Sequence, residues 1–254
     1  MRIENSFLPV RGVGEKTERR LWREGVTHWD DFEESLVGDV RGQRIRAFID
    51  RGRERLAAND AAFFDDAFPS ASRWRLYENF QDSTCFFDIE TTGLNASHSE
   101  VTTVSFHRGD ETTTLVRGED LTRAAVAATI DDAGLLVSFN GKRFDVPFLE
   151  ACFDLDIDRP HLDLMYPCRR LDLTGGLKAI ERKVGIDRDR PDLSGRDAVR
   201  LWHAHERGDP DALDRLVSYN RADTENLRTL LDLVVERLHE DVFVAARDDR
   251  RNDF

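Results

Sequence analysis

The apolar residues of this 254-residue chain change their spacing near position 80, and that change limits the possible folds more than any other feature. Upstream, residues 15–22, 30–37, 41–56 and 59–68 each place apolar side chains three or four apart, as amphipathic helices do. Phe68-Pro69-Ser70-Ala71-Ser72 reads as a break. Downstream, Thr84-Cys85-Phe86-Phe87-Asp88-Ile89-Glu90 is a short, mostly apolar run stopped by Thr91-Thr92-Gly93, which suits a buried strand. Residues 101–107 and 112–117 read as two more strands joined around Arg108-Gly109-Asp110-Glu111, a hairpin signal. The pattern then predicts a helix over 121–132, a buried strand over 135–139 and a helix over 148–153, followed by amphipathic helices over 177–184, 194–207 and 211–238. Hairpin-paired strands followed by strands interleaved with helices predict an α/β domain, a mixed sheet flanked by helices, over about 80–240. A small helical segment, 1–75, precedes it, and a charged tail, 241–254, follows, frayed from Ala245 onward.

Charge narrows the functional classes. Fifty Asp and Glu against 37 Lys and Arg leave a formal charge of -13, which argues against a protein that coats DNA by counterion release. The charges are also skewed in kind, with 33 arginines against four lysines and 32 aspartates against 18 glutamates. A solvated acidic surface with few lysines resembles proteins adapted to concentrated salt, where self-repulsion is screened. Cys85, Cys152 and Cys168 are far apart and form no CxxC pair, so ordinary thiols are expected, with neither a disulfide framework nor a cysteine zinc site. No apolar run approaches the length of a membrane span, and the first residues lack the pattern of a secretory leader, so a cytoplasmic protein without a membrane partner is expected.

Three clusters carry the candidate chemistry. Asp88 and Glu90 lie two apart on a strand and therefore project from one face. Two carboxylates on an apolar strand are costly without a cation between them; a strand end reaching solvent is the other explanation. In Phe139-Asn140-Gly141-Lys142-Arg143-Phe144-Asp145, a strand runs into an Asn-Gly turn and Asp145 stands just before a helix, as N-cap, as ligand or as both. Tyr219 and Asp223 are four apart on the last long helix and share a face.

Taken in order, DxE followed by Thr-Gly, NGxxFD and YxxxD closely resemble the three motifs of the DEDD superfamily of 3′-5′ exonucleases, in its tyrosine subclass. Position 218 is serine, unlike the histidine subclass. His161-Leu162-Asp163-Leu164, Leu177-Lys178-Ala179-Ile180-Glu181 and Ser194-Gly195-Arg196-Asp197-Ala198-Val199 extend the resemblance to the YprB-type ribonuclease H-like family. It implies a ribonuclease H-like fold and two Mg²⁺ or Mn²⁺ ions, with Asp88, Glu90, Asp145 and Asp223 as metal ligands and Tyr219 orienting the attacking water. Two metals about 4 Å apart can activate water and balance the developing charge, and carboxylate oxygens suit these ions. Thr92, Asn140 and Lys142 are candidate contacts to nucleic acid. His161 and Asp163 project from one face of an alternating strand, as part of the site or as a structural pair.

In the N-terminal segment, Arg11-Gly12-Val13-Gly14-Glu15-Lys16 places a Gly-x-Gly turn before a helix and resembles the hairpin of a helix-hairpin-helix module. Gly12, Gly14 and Lys16 are thus candidate phosphate contacts; the other reading is a helical segment in which the glycines only shape a turn.

The expected function is two-metal-dependent phosphodiester hydrolysis, as a 3′-5′ exonuclease on an end of single-stranded DNA or RNA. The alternatives are a structure-selective endonuclease and a non-catalytic nucleic-acid-binding module on the same fold. The composition predicts that the fold weakens on transfer from molar to low salt. Equal melting temperatures in the two buffers would contradict that reading.

Overall fold

The computed structural model describes residues 1–188 and 193–248 and divides the chain into two compact units, residues 82–231 and residues 1–81 with the stretch from Asp232 onward. In the first stretch, apolar residues at helical spacing form α1 (Glu15–Arg23), α2 (Asp39–Ala57) and α3 (Ala61–Ala67), with a single turn, α4 (Tyr77–Phe80), before the next unit. The helix expected over 30–37 does not form; two one-turn 3₁₀ helices, Trp29–Asp31 and Glu34–Leu36, take its place. The Asp31 carboxylate accepts from the amides of Thr27 and His28 at 3.0 and 2.9 Å, closing a tight turn there. Phe32 is extended and buried, which interrupts the helical path. The break expected over 68–72 is confined to its start, because residues Ser70–Leu76 form a 3₁₀ helix after Pro69.

An ion pair lies at the centre of this unit. Glu18 and Arg75 are each 1% exposed, and the Glu18 carboxylate accepts from Arg75 Nη1, Ser6 Oγ and the Phe7 amide at 2.9, 2.7 and 2.8 Å. Hydrogen bonds on that scale offset the desolvation that burying two charges incurs.

The larger unit is built on a five-stranded sheet of order β3-β2-β1-β4-β5. Its strands are β1 (Thr84–Thr91), β2 (Val101–Arg108), β3 (Glu111–Val116), β4 (Leu135–Ser138) and β5 (His161–Asp163). β1, β2 and β3 pair antiparallel, β2 and β3 through a hairpin with Gly109 at φ +57°, and β4 and β5 continue the sheet parallel to β1. The helices are α5 (Arg123–Asp131), α6 (Asp145–Phe153), α7 (Met165–Arg170), α8 (Leu177–Val184), α9 (Gly195–Glu206) and α10 (Ala212–His239). The mixed sheet and its covering helices make the α/β architecture that the sequence predicts.

Alternation along β1 decides what each face carries. Cys85, Phe87 and Ile89 enter a core with Val104, Phe106, Val126, Ile130, Phe148 and Leu149, the side covered by α5 and α6. Phe86, Asp88 and Glu90 point the other way. A second cluster joins Leu201 and Trp202 of α9 to Leu216 and Tyr219 of α10. The unit boundary falls within α10, between Leu231 and Asp232. Its last turns continue through a π-helical segment, Glu240–Val244, into α11 (Ala245–Asp248). Val242, Phe243 and Ala246 are buried and the Trp22 and Phe243 rings meet edge to face at 5.0 Å, so residues 241–248 are packed helix, and the fraying expected from Ala245 does not begin before residue 248. Residues 249–254 lie outside the described part. No described helix is long and apolar enough to cross a membrane.

One glycine shows how tightly the loop after β4 is held. A Cβ at Gly141 would stand 2.1 Å from Ser138 Oγ and 2.7 Å from Ser138 Cβ, closer than atoms can approach. Gly141→Ala is expected to destabilise the protein by about 1–3 kcal/mol, the usual range for overpacking, and adding Ser138→Gly should recover part of the loss. Urea unfolding checks this; an unchanged midpoint for the single variant would contradict it.

Candidate active site

β1, the central strand, carries Asp88 and Glu90 on one face of the sheet, toward the end of the strand. Glu90 pairs with Thr103 of β2, but Thr91 pairs with Val101, so the ladder slips by one residue just past Glu90. Such a bulge bends the strand end and re-aims its side chains. The Thr91 hydroxyl then donates to the Gly93 carbonyl at 2.6 Å, and the Glu100 amide donates to the Thr92 hydroxyl at 2.9 Å, so Thr92 helps shape the exit loop.

The loop from β4 to α6 is stapled from β5. The Asp163 carboxylate accepts from the amides of Asn140, Lys142 and Met165 at 2.7, 3.3 and 3.0 Å, and the His161 ring meets the Ser138 hydroxyl at 2.8 Å. His161 and Asp163 are therefore structural partners of this loop, the second of the two readings open from the sequence. Burial, with the charge of Lys142, pushes the His161 imidazole down to about 3, so it is neutral. Asn140 adopts φ +64°, which turns the chain toward α6. Asp145 is the first residue of α6 and makes no cap; the N-cap position is Phe144. The Asp145 carboxylate instead accepts from the Ile89 amide at 3.3 Å, tying the second motif to the first.

α10 supplies the rest. Asp223 comes to the strand carboxylates so that ligand oxygens of Asp88, Glu90 and Asp223 all lie within 4.8 Å of one another. Asp145 stands outside that group, close enough for its charge to act on Asp88. Tyr219, one turn before Asp223, is 5% exposed, and the Lys178 ammonium lies 4.1 Å from its ring centroid.

The electrostatics follow from packing like charges in a dry place. Burial first, then the charges of Asp145, Glu90 and Asp223, raise the Asp88 carboxyl well above the usual range. Burial and Asp223 do the same to Glu90, and burial pushes Asp145 up to about 7. Burial and the surrounding carboxylates raise the Tyr219 phenol, which therefore stays protonated. Among the described residues, Lys178 and Arg188 are two cations whose charge acts on this cluster. Burial lowers Lys178 although Asp223 opposes it. Arg188 pairs with both Asp223 and the fully buried Glu181, and these contacts more than offset its own burial.

The carboxylates line two cavities. One, of about 400 Å³, is lined by Asp88, Lys178, Tyr219 and Asp223. The other, of about 720 Å³, is lined by Glu90, Thr92, Leu94, Phe144, Arg196 and Arg200. Leu94 is 88% exposed at its mouth.

The structure thus brings Asp88, Glu90, Tyr219 and Asp223 together, with Asp145 beside them. Thr92 lines a cavity, whereas Asn140 and the exposed Lys142 belong to the stapled loop. Gly12, Gly14 and Lys16 belong to the other unit, exposed in the turn that enters α1, where Gly12 has φ +92°. Before that turn stands only a one-turn 3₁₀ helix, Ile3–Asn5. Arg188, Glu181 and Asn220 were not singled out by sequence reasoning. Asn220 had a signal, its place between Tyr219 and Asp223, and Glu181 closes the Leu177–Glu181 stretch of the resemblance, while Arg188 resembles any other charged residue in an acidic chain.

No curated protein matches the chain. Among solved structures it is similar to the family B DNA polymerase of Pyrobaculum calidifontis (16% identity, TM-score 0.48), over 66% of this chain but only 26% of that one. It is also similar to Brucella melitensis NrnC bound to pGG (19%, TM-score 0.46, covering 69% of this chain and 83% of that one) and to the Aedes aegypti Nibbler EXO domain (12%, TM-score 0.46, covering 67% and 88%). The family model RNase_H_2, described as RNase_H superfamily, matches residues 85–235. That match spans more than half of the chain and contains every carboxylate of the cluster: the chain belongs to the RNase_H_2 family of the RNase H superfamily.

Proposed function

We propose that the chain is a divalent-metal-dependent nuclease of DEDD type, a 3′-5′ exonuclease acting on an end of single-stranded DNA or RNA. The observation that carries this reading is the meeting of Asp88, Glu90 and Asp223 within 4.8 Å, beside a buried, neutral Tyr219 and along the lining of two cavities.

The donor set fits Mg²⁺ or Mn²⁺: all oxygen, anionic and held on a strand and a helix. Burial, and after it mutual repulsion, raises Asp88 and Glu90, and a dication held among the carboxylates is the simplest remedy. Asp88, Glu90 and Asp223 would hold the metal, with Asp145 beside a second ion. Such ions supply Lewis acidity and a water of lowered pKa. The chain's own groups do the positioning. Tyr219, kept as a phenol, hydrogen-bonds and orients a water without acting as a base. Lys178 presents a cation to a phosphate in the smaller cavity. The larger cavity has a mostly apolar wall at Leu94 and Phe144 for an unstacked base, and Arg196 and Arg200 for a backbone phosphate.

The test is incubation of the full chain with Mn²⁺ or Mg²⁺ and end-labelled single-stranded DNA and RNA, beside a closed circle. Wild type should shorten linear strands from the 3′ end and spare the circle. Asp88→Asn and Asp223→Asn should abolish cleavage, and Tyr219→Phe should lower it by roughly 10²-fold or more. Cleavage unchanged in both aspartate variants would overturn the reading, and a cut circle would replace the exonuclease with an endonuclease.

Asp145 also predicts a pH effect in the metal-free protein. Its folded pKa, about 7, exceeds the ordinary carboxylate value of 3.8, so between those values the folded state binds more protons than the unfolded one. Stability then falls as pH rises. Relative to Asp145→Asn, wild type is expected to lose stability from about pH 4 to 7 and to regain it on adding Mn²⁺. A flat difference across that range in urea titrations would contradict this.

A further inference from the structure

Asn220 is completely buried in the middle of α10, where an asparagine is a poor helix former and its amide must find every partner inside the protein. It finds them all. Its Nδ2 donates to Asp88 Oδ2 at 2.7 Å and to the Asp88 carbonyl at 3.2 Å. Its Oδ1 accepts from the hydroxyls of Thr103 and Ser105 at 3.0 and 2.9 Å. Ser105 is in turn 2.7 Å from the Thr114 hydroxyl on β3. An amide has two donor hydrogens and two acceptor lone pairs, and all four are engaged.

Both hydroxyls stand beside the carboxylates. Ser105 is the cross-strand neighbour of Asp88, and Thr103 that of Glu90, so both share the face of the two carboxylates. Both are fully buried. Their donation to Oδ1 fixes the orientation of the amide and turns the NH₂ group toward Asp88. The reverse orientation would set Oδ1 against a carboxylate oxygen.

We infer that Asn220 is a positioning residue for the metal site: it holds Asp88 Oδ2 so that the opposite oxygen is offered to a divalent cation, and it locks α10 against β1 and β2 so that Asp223, three residues on, meets Asp88. The inference rests on the metal-dependent reading above. Groups of this kind, which orient a ligand without touching the ion, typically change metal affinity by 10–100-fold when removed. Asn220 acts through Asp88, and its loss is expected in metal affinity more than in the rate at saturating metal.

The experiment is calorimetric titration of the full chain with Mn²⁺, paired with cleavage rates across Mn²⁺ concentration. Asn220→Leu, close in volume but without hydrogen-bonding groups, is expected to weaken Mn²⁺ binding by roughly 10–100-fold, with cleavage recovered at correspondingly higher Mn²⁺. Thr103→Val keeps the asparagine and removes one anchor of its amide, so a smaller loss in the same direction is expected; it decides the question if Asn220→Leu fails to fold. Melting curves separate the roles, because a merely structural asparagine lowers the melting temperature and leaves the Mn²⁺ affinity of the folded protein unchanged. Wild-type affinity in the folded variants overturns the inference. Failure of the metal reading itself looks different: wild type would then bind no Mn²⁺, or Asp88→Asn would bind it as well as wild type.

Discussion

Repulsion among Asp88, Glu90 and Asp223 is the constraint around which the larger unit is arranged. Three carboxylates with ligand oxygens inside 4.8 Å, two of them on an otherwise apolar strand, oppose folding unless the rest of the chain holds them in place. The alternation of β1 sends Cys85, Phe87 and Ile89 into the core against α5 and α6, and that burial holds the opposite face in register. The bulge beyond Glu90, the Asp163 staple on the loop to α6 and the Asn220 amide each fix one carboxylate-bearing element. Arg188 and Glu181 belong to the same balance: a buried arginine shared between two acids offsets part of the local charge. Buried ion pairs seldom add net stability, so the arrangement makes better sense as part of a charged site than as a brace.

The same constraint reconciles the acidic composition with the nucleic-acid substrate proposed above. A net charge of -13 does not favour broad contact with a polyanion. The negative charge at the site is concentrated where cations would intervene, and Lys178, Arg196 and Arg200 line the cavities beside it. Contact would then be confined to a strand end, with affinity depending on the metal and on a few phosphates.

The sheet and most helices were legible in the sequence because periodicity follows burial, and β1, the β2–β3 hairpin, α8, α9 and α10 fall within a few residues of their expected limits. The segment over 30–37 was not, since apolar spacing alone does not reveal that Asp31 binds the Thr27 and His28 amides and closes a turn. The C-terminal residues 241–248 looked like a charged tail because their few apolar side chains, Val242, Phe243 and Ala246, are buried by partners distant in sequence, such as Trp22. At the site, Asp88, Glu90, Tyr219 and Asp223 were readable as spaced motifs. The long-range partners were not: the hydroxyls of Thr103 and Ser105 meet Asn220 across more than a hundred residues, and no local pattern encodes such a contact.

The account's central claim is that this acidic cluster is a metal site. Anomalous diffraction at the manganese edge, from crystals of the full chain grown with Mn²⁺, tests it most directly. The account predicts a peak bounded by Asp88, Glu90 and Asp223 that disappears in Asp88→Asn. A map without manganese there at millimolar Mn²⁺, with Arg188 still paired to Asp223, would contradict it.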